Sequence, residues 1–196
     1  MLENVGIYLF DDAELLDFAG PYEVFSSASQ LSGGEAFNVF TVSENGGEIR
    51  SVNGLTVVSD CSFRDNPNID ILLIPGGDGT KAEIKKQNVM EWIDGAQRAA
   101  KIIATVCSGA RIPAALGLLD GLTATTHMLA IDDVKKLAPR AVIDHTQRFV
   151  DNGKIITAGG ISAGIDMALH IVARFYGRDL AARTMEYMEY PGGCGK

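Results

Sequence analysis

The residue best placed to do chemistry is Cys107, in the run Ile-Ile-Ala-Thr-Val-Cys-Ser-Gly-Ala at 102–110. A buried strand ends there and a helix begins within a residue or two. A side chain on such a turn projects above the carboxyl edge of a parallel sheet, where ligands bind, as in a nucleophile elbow. Free N–H groups and the positive end of the helix dipole favour thiolate over thiol. The expectation is a low-pKa nucleophile; the competing reading is an inert buried cysteine. Ser108 is either a simple helix-terminal residue or a hydroxyl that bonds substrate or sulfur.

Other residues reach the same edge. Asp17 falls between the first strand and a helix whose first turn suits Pro21. A carboxyl beside a thiolate can stay protonated, because two adjacent anions are unstable, and can then act as acid and later as base. Spacing alone leaves Asp17 as readily a solvated or capping carboxylate. Gly76 and Gly77 follow a buried strand and form either an anion hole or a plain turn; Gly109 could add a further N–H. His127 would make the site a Cys–His hydrolase if it were a base, but a lone histidine more often packs or hydrogen-bonds. His145 and His170 read as structural, and Asp166 as a loop-orienting or solvent-facing acid. Asp11, Asp12 and Glu14 read as solvated. Gly159, Gly160 and Gly164 lack the spacing of a dinucleotide fingerprint.

These residues need a scaffold, and the apolar patterning describes one. Strand-length runs at 5–10, 37–42, 69–74 and 102–106 alternate with helical periodicity, including an apolar face at Val24, Phe25, Ala28 and Leu31. Turn signals at Asn45-Gly46-Gly47 and Asn53-Gly54 mark a hairpin excursion over 45–59. A helix is expected up to about Ala100, and another after Cys107 that Pro113 distorts. Beyond it come short strands at 123–126, 141–144, 149–150 and 154–157, a helix over 130–137, and two last helices around Ile165 and over 180–188. The sum is one α/β domain over 1–196, a doubly wound, mostly parallel, flavodoxin-like sheet flanked by helices.

Composition narrows the function classes. A formal charge of −8 over 196 residues argues against nucleic-acid or anionic-membrane partners. No apolar run reaches the ~20 residues of a transmembrane helix. The opening MLENVGIYLFDD reads as a strand, with no basic leader. Cys61, Cys107 and Cys194 form neither a disulfide framework nor a zinc pattern, so a cytoplasmic setting is expected and Cys61 and Cys194 read as incidental, the latter in a flexible tail at 192–195.

Several stretches together resemble the ThiJ/PfpI superfamily over essentially the whole chain. They are Leu-Asp-Phe-Ala-Gly-Pro at 16–21, Ile-Pro-Gly-Gly at 74–77, Val-Cys-Ser-Gly-Ala at 106–110, Gly-Leu-Leu-Asp-Gly at 117–121, Ala-Thr-Thr-His at 124–127 and Gly-Gly-Ile-Ser-Ala-Gly-Ile-Asp at 159–166. Within the superfamily the chain is most similar to the isonitrile (isocyanide) hydratase branch. Its first-loop acid is Asp17 rather than glutamate, and Ser108 stands where peptidase-like members have histidine. The hydratases often carry threonine in place of Ser108 and an aromatic residue in place of Met128. The resemblance implies a class I glutamine amidotransferase-like fold with Cys107 and Asp17 as the catalytic pair. Substrate contacts would come from Gly76, Gly77, Ser108, Gly109 and His127. It also implies hydration of an isocyanide to an N-substituted formamide, no metal or organic cofactor, a small-molecule substrate and a homodimer. Two other outcomes belong to the same thiol: glyoxalase- or deglycase-like action on a small dicarbonyl, or oxidation sensing without turnover. A ligand-sensing domain of the kind that relatives join to a helix-turn-helix is not expected, since no such segment follows.

Overall fold

A computed structural model describes residues 2–191, so Cys194 and the 192–195 tail lie outside the described residues. The chain opens with strand β1 (Glu3–Tyr8) and helix α1 (Leu15–Leu31), then β2 (Phe37–Ser43). The expected hairpin follows as β3 (Gly47–Arg50) and β4 (Thr56–Ser59), paired antiparallel. Next come a short β5 (Cys61–Ser62), β6 (Ile71–Ile74), α2 (Thr80–Glu83), α3 (Gln87–Ala99) and β7 (Ile102–Thr105). A 3-10 turn at Cys107–Ala110 leads into α4 (Arg111–Ala115). The rest is β8 (Thr123–Ala124), α5 (Ile131–Leu137), β9 (Val142–Ile143), β10 (Phe149–Asp151), β11 (Ile155–Ala158), α6 (Ala163–Tyr176) and α7 (Arg178–Tyr187).

Seven strands form the central sheet in the order β10-β11-β7-β6-β1-β2-β5, parallel except for the β10–β11 pair. β1 lies between β6 and β2, so the chain winds outward in both directions from the β1–β6 boundary. Ligands bind at the carboxyl ends beside such a switch point. The central strands are covered on both faces: Ile71, Leu72, Leu73 and Ile74 are fully buried, as are Ile103, Ala104 and Ile156. β8 and β9 pair with each other in a separate two-stranded parallel unit rather than joining the main sheet.

Three expectations about elements need correction. Pro21 does not open a helix: α1 starts at Leu15 with no side-chain cap, and Pro21 lies inside it. Proline there cannot donate to the Asp17 carbonyl four residues back, a defect that buried packing on α6 outweighs, with Pro21 against Gly164 and Gly20 against Ile165. Asp17 therefore sits in the first turn of α1 rather than in the loop before it. The single helix expected before Ala100 is two, because the chain breaks between Glu83 and Gln87. The helix after Cys107 is short, a 3-10 turn and then five residues containing Pro113. Among the described residues no helix is long and apolar enough to cross a membrane.

Candidate active site

β1, β6 and β7 each deliver one part of the site from their carboxyl ends. Asp17 follows β1, the Pro75-Gly76-Gly77 loop follows β6, and Cys107 follows β7. Cys107 takes φ 57, the left-handed region that a side-chain-bearing residue avoids at a cost of roughly 1–3 kcal/mol. Its backbone is fixed on both sides. The Cys107 N–H donates to Gly159 C=O at 2.8 Å, and Thr126 Oγ1 donates to Cys107 C=O at 2.8 Å. These bonds hold the strained turn and so keep the side chain on the elbow, where only 7% of the residue is exposed.

Asp17 is fully buried. Gly76 N–H donates to its Oδ2 at 2.8 Å, while Oδ1 is buried with no N–H or O–H donor. Burial, offset in part by the Gly76 hydrogen bond, pushes the carboxyl from 3.8 to about 7. Cys107 is pushed from 9.0 to about 12, first by burial and then by the Asp17 charge; N–H groups of Ile161 and Ser108 pull it back only in part. The expectation of a thiolate stabilised by the helix end is therefore corrected. Desolvation and a neighbouring carboxylate outweigh a 3-10 turn's few N–H donors. The two groups titrate as one unit. Above about pH 7 this leaves an ionised carboxyl beside a protonated thiol.

The N–H groups of the glycines near this pair bear on the choice between an anion hole and a plain turn, because each already has a partner within the protein. Gly76 spends its N–H on Asp17. Gly77 donates to Ser108 Oγ at 2.9 Å, and Ser108 Oγ lies 3.1 Å from Gly77 C=O as a donor. Gly109 donates to Val106 C=O at 2.9 Å. What these positions require is closeness. A Cβ on Gly76 would lie 2.6 Å from Ser108 N and 2.8 Å from Asp17 Oδ2; one on Gly109 would lie 2.4 Å from Ile74 O. Ser108 ties the elbow to the Gly77 loop.

His127 lies close by without engaging the thiol. Its Nδ1 accepts from Leu129 N–H at 3.2 Å, which puts the proton of the neutral ring on Nε2. The ring packs over Gly160, where a Cβ would lie 2.7 Å from Cδ2. Ile161 is a residue that sequence reasoning missed. Its N–H reaches the Cys107 sulfur, and its φ of 33 is an outlier for a β-branched side chain. Nothing in the sequence signals it beyond the preceding Gly159-Gly160.

Beside the elbow opens a cleft of about 420 Å³ whose walls include His127, His145, Arg148, Gly160, Ile161 and Ser162. His145 is exposed here rather than structural. His170 bonds Asp151 at 2.7 Å, away from the cleft lining. Asp166 accepts from Arg148 Nε at 2.7 Å and from Tyr190 OH at 3.0 Å, so it orients the cleft's arginine. Among the described residues no group of three or more His, Cys, Asp or Glu side chains is placed to hold a metal.

The chain is similar in sequence or in fold to several known proteins. Isonitrile hydratase of Pseudomonas putida is 32% identical over 190 residues, covering 97% of this chain and 79% of that protein. The transcriptional regulator GbdR of Pseudomonas aeruginosa is 28% identical over 96% of this chain, which spans only 51% of the regulator's length. Among solved structures, a ThiJ/PfpI family protein from Pseudomonas syringae superposes with a TM-score of 0.87 at 27% identity, covering 100% of this chain and 78% of that one. Drosophila melanogaster DJ-1beta has the same fold, with a TM-score of 0.83 at 18% identity over 96% of this chain and 98% of that one. The DJ-1/PfpI family model matches residues 3–174, and the chain belongs to that family.

Proposed function

We propose that this chain hydrates an isocyanide to an N-substituted formamide, with Cys107 as nucleophile and Asp17 as its proton partner. The observation that carries the reading is the buried Asp17–Cys107 pair, with the carboxyl near neutrality and no imidazole bonded to the thiol. Such a pair suits a reaction that needs a soft nucleophile and a proton at the same carbon. The similarity to isonitrile hydratase supports the substrate class.

The steps balance without an external acid or base. The Cys107 proton moves to Asp17, and the thiolate attacks the terminal isocyanide carbon. That carbon takes the proton back from Asp17, giving a thioimidate, R–N=CH–S–Cys107. Asp17, now ionised, takes a proton from water as the water oxygen bonds to the same carbon, and passes it to nitrogen. The C–S bond then breaks, the hydroxyl proton returns to the sulfur, and R–NH–CHO leaves. Ile161 N–H and Ser108 N–H stabilise the sulfur while it carries charge.

The test is formamide production from a simple alkyl isocyanide, beside methylglyoxal consumption, by wild type and Cys107→Ala. Cys107-dependent formamide supports the reading; Cys107-dependent methylglyoxal turnover alone replaces it with the glyoxalase-like one.

A further inference from the structure

The cleft beside Cys107 differs in charge from the protein around it. The chain carries 25 acidic residues and a net charge of −8, yet among the described residues none of the side chains lining the cleft is a carboxylate. Three potential cations line it instead: His127, His145 and Arg148. Acids stand behind two of them. Asp166 takes the Nε and Nη2 protons of Arg148, and Asp144 lies near His145. Arg148 Nη1 and Nη2 also donate to Ser162 Oγ at 3.4 Å. Since a guanidinium has five N–H donors, this grip aims Arg148 and, among the described residues, leaves an N–H of Nη1 open. Among the described residues only Nδ1 of His127 is bonded, which leaves its Nε2 proton to a ligand. Ser162 adds a hydroxyl, and the cleft lies at the N-terminal end of α6, the positive end of that helix. The apolar side chains of Met128 and Ile161 flank these polar groups.

Its position ties the cleft to the chemistry. The Cys107 main chain is bonded to Thr126, His127 and Gly159, all of them cleft residues, and Ile161 N–H reaches the sulfur. The cleft therefore offers room, beside the residues that hold Cys107, for the rest of a small electrophile whose reactive carbon sits on the sulfur.

We infer that the cleft is the substituent pocket of the site and that it selects electrophiles bearing a compact anion, above all a carboxylate. The reacting carbon rests on the reading given under Proposed function; the anion preference rests on the cleft alone. For that reading the favoured substrates are isocyanides with a carboxylate one or two atoms from the nitrogen.

Two alkylating agents of nearly equal size separate the charge effect from turnover. Iodoacetate and iodoacetamide are reacted with Cys107 at low ionic strength, with site occupancy read by peptide mass spectrometry. The ratio of the two rates is compared with that for a neutral small thiol, N-acetylcysteinamide. The expected ratio at Cys107 is at least ~10-fold above the small thiol's, the lower range for electrostatic focusing in a cleft. Arg148→Gln and His127→Gln should each lower it, and salt should do the same. A ratio equal to or below the small thiol's, or one that survives both substitutions, overturns the inference. In parallel, isocyanoacetate should show a lower KM than its ethyl ester, with Arg148→Gln raising KM for the acid alone. If neither isocyanide turns over but the alkylation bias holds, the hydration reading fails and the anion pocket stands. If both turn over with equal KM and no bias appears, the pocket fails and hydration stands.

Discussion

Two Gly-Gly loops flank Cys107 at the carboxyl edge of the sheet, and they do opposite work. Gly76-Gly77, after β6, points its N–H groups inward, to Asp17 and to Ser108. Gly159-Gly160, after β11, accepts the Cys107 N–H, gives the His127 ring its place and leads to the Ile161 N–H at the sulfur. One loop holds the acid in a dry, crowded corner; the other supports Cys107 and walls an open cleft whose described lining carries Arg148 and two histidines. Identical dipeptides at equivalent strand ends thus differ in which way the peptide groups turn, and the site's asymmetry follows from that. On the proposed reading, proton chemistry belongs to the first side and substrate selection to the second.

The largest expected effect lies on the acid side. With Asp17 raised to about 7, the folded protein holds this proton more tightly than the unfolded chain does. Its stabilising contribution is complete below the unfolded value of 3.8 and is lost as pH rises through about 7. Wild type should therefore lose roughly 3 kcal/mol relative to Asp17→Asn between about pH 4.5 and 8. Denaturant unfolding of both proteins at each pH measures this; parallel pH curves would show that Asp17 is not held as a dry acid.

The next effect divides the two loops directly. Gly76→Ala puts a methyl against Asp17 Oδ2 and Ser108 N, and should reduce turnover by at least ~10²-fold through loss of the positioned acid. Gly159→Ala meets its first neighbour at 3.5 Å, an ordinary contact, and should change stability by less than ~0.5 kcal/mol with activity retained. Equal damage from both substitutions would erase the distinction between the loops. Smaller still is Ser108→Ala, which leaves Gly77 N–H without its 2.9 Å partner and should lower stability by ~1–2 kcal/mol in thermal unfolding. A shift in substrate KM with no change in stability would instead make Ser108 a substrate contact.

Much of this was legible in the residues. The elbow at Cys107 could be read because a buried apolar run meets Ser108 and Gly109 without a spacer, and the alternation of strands and helices specified the sheet. The start of α1 could not: Leu15 follows Glu14, which makes no capping bond, whereas Pro21 carries a strong N-terminal signal yet sits inside the helix. That error moved Asp17 out of its helix. The direction of the Gly76 and Gly77 N–H groups, the left-handed Ile161 and the cleft around Arg148 were beyond reach, since each depends on segments far apart in sequence meeting at one edge. The thiol's pKa was misjudged for a related reason. A helix start is visible in sequence, but the burial of Asp17 against Cys107 is a tertiary fact, and its effect is the larger one.

The central claim is that Asp17 and Cys107 share one proton, and the pH profile of Cys107 alkylation by iodoacetamide tests it most directly. In wild type the rate should rise to about pH 7 and then level off, because above that pH the singly protonated pair supplies a constant fraction of thiolate through Asp17. In Asp17→Asn that plateau should vanish, the rate climbing about tenfold per pH unit toward the intrinsic pKa of an isolated buried thiol. Superimposable profiles for the two proteins would contradict the shared proton and leave Cys107 as an independent thiol.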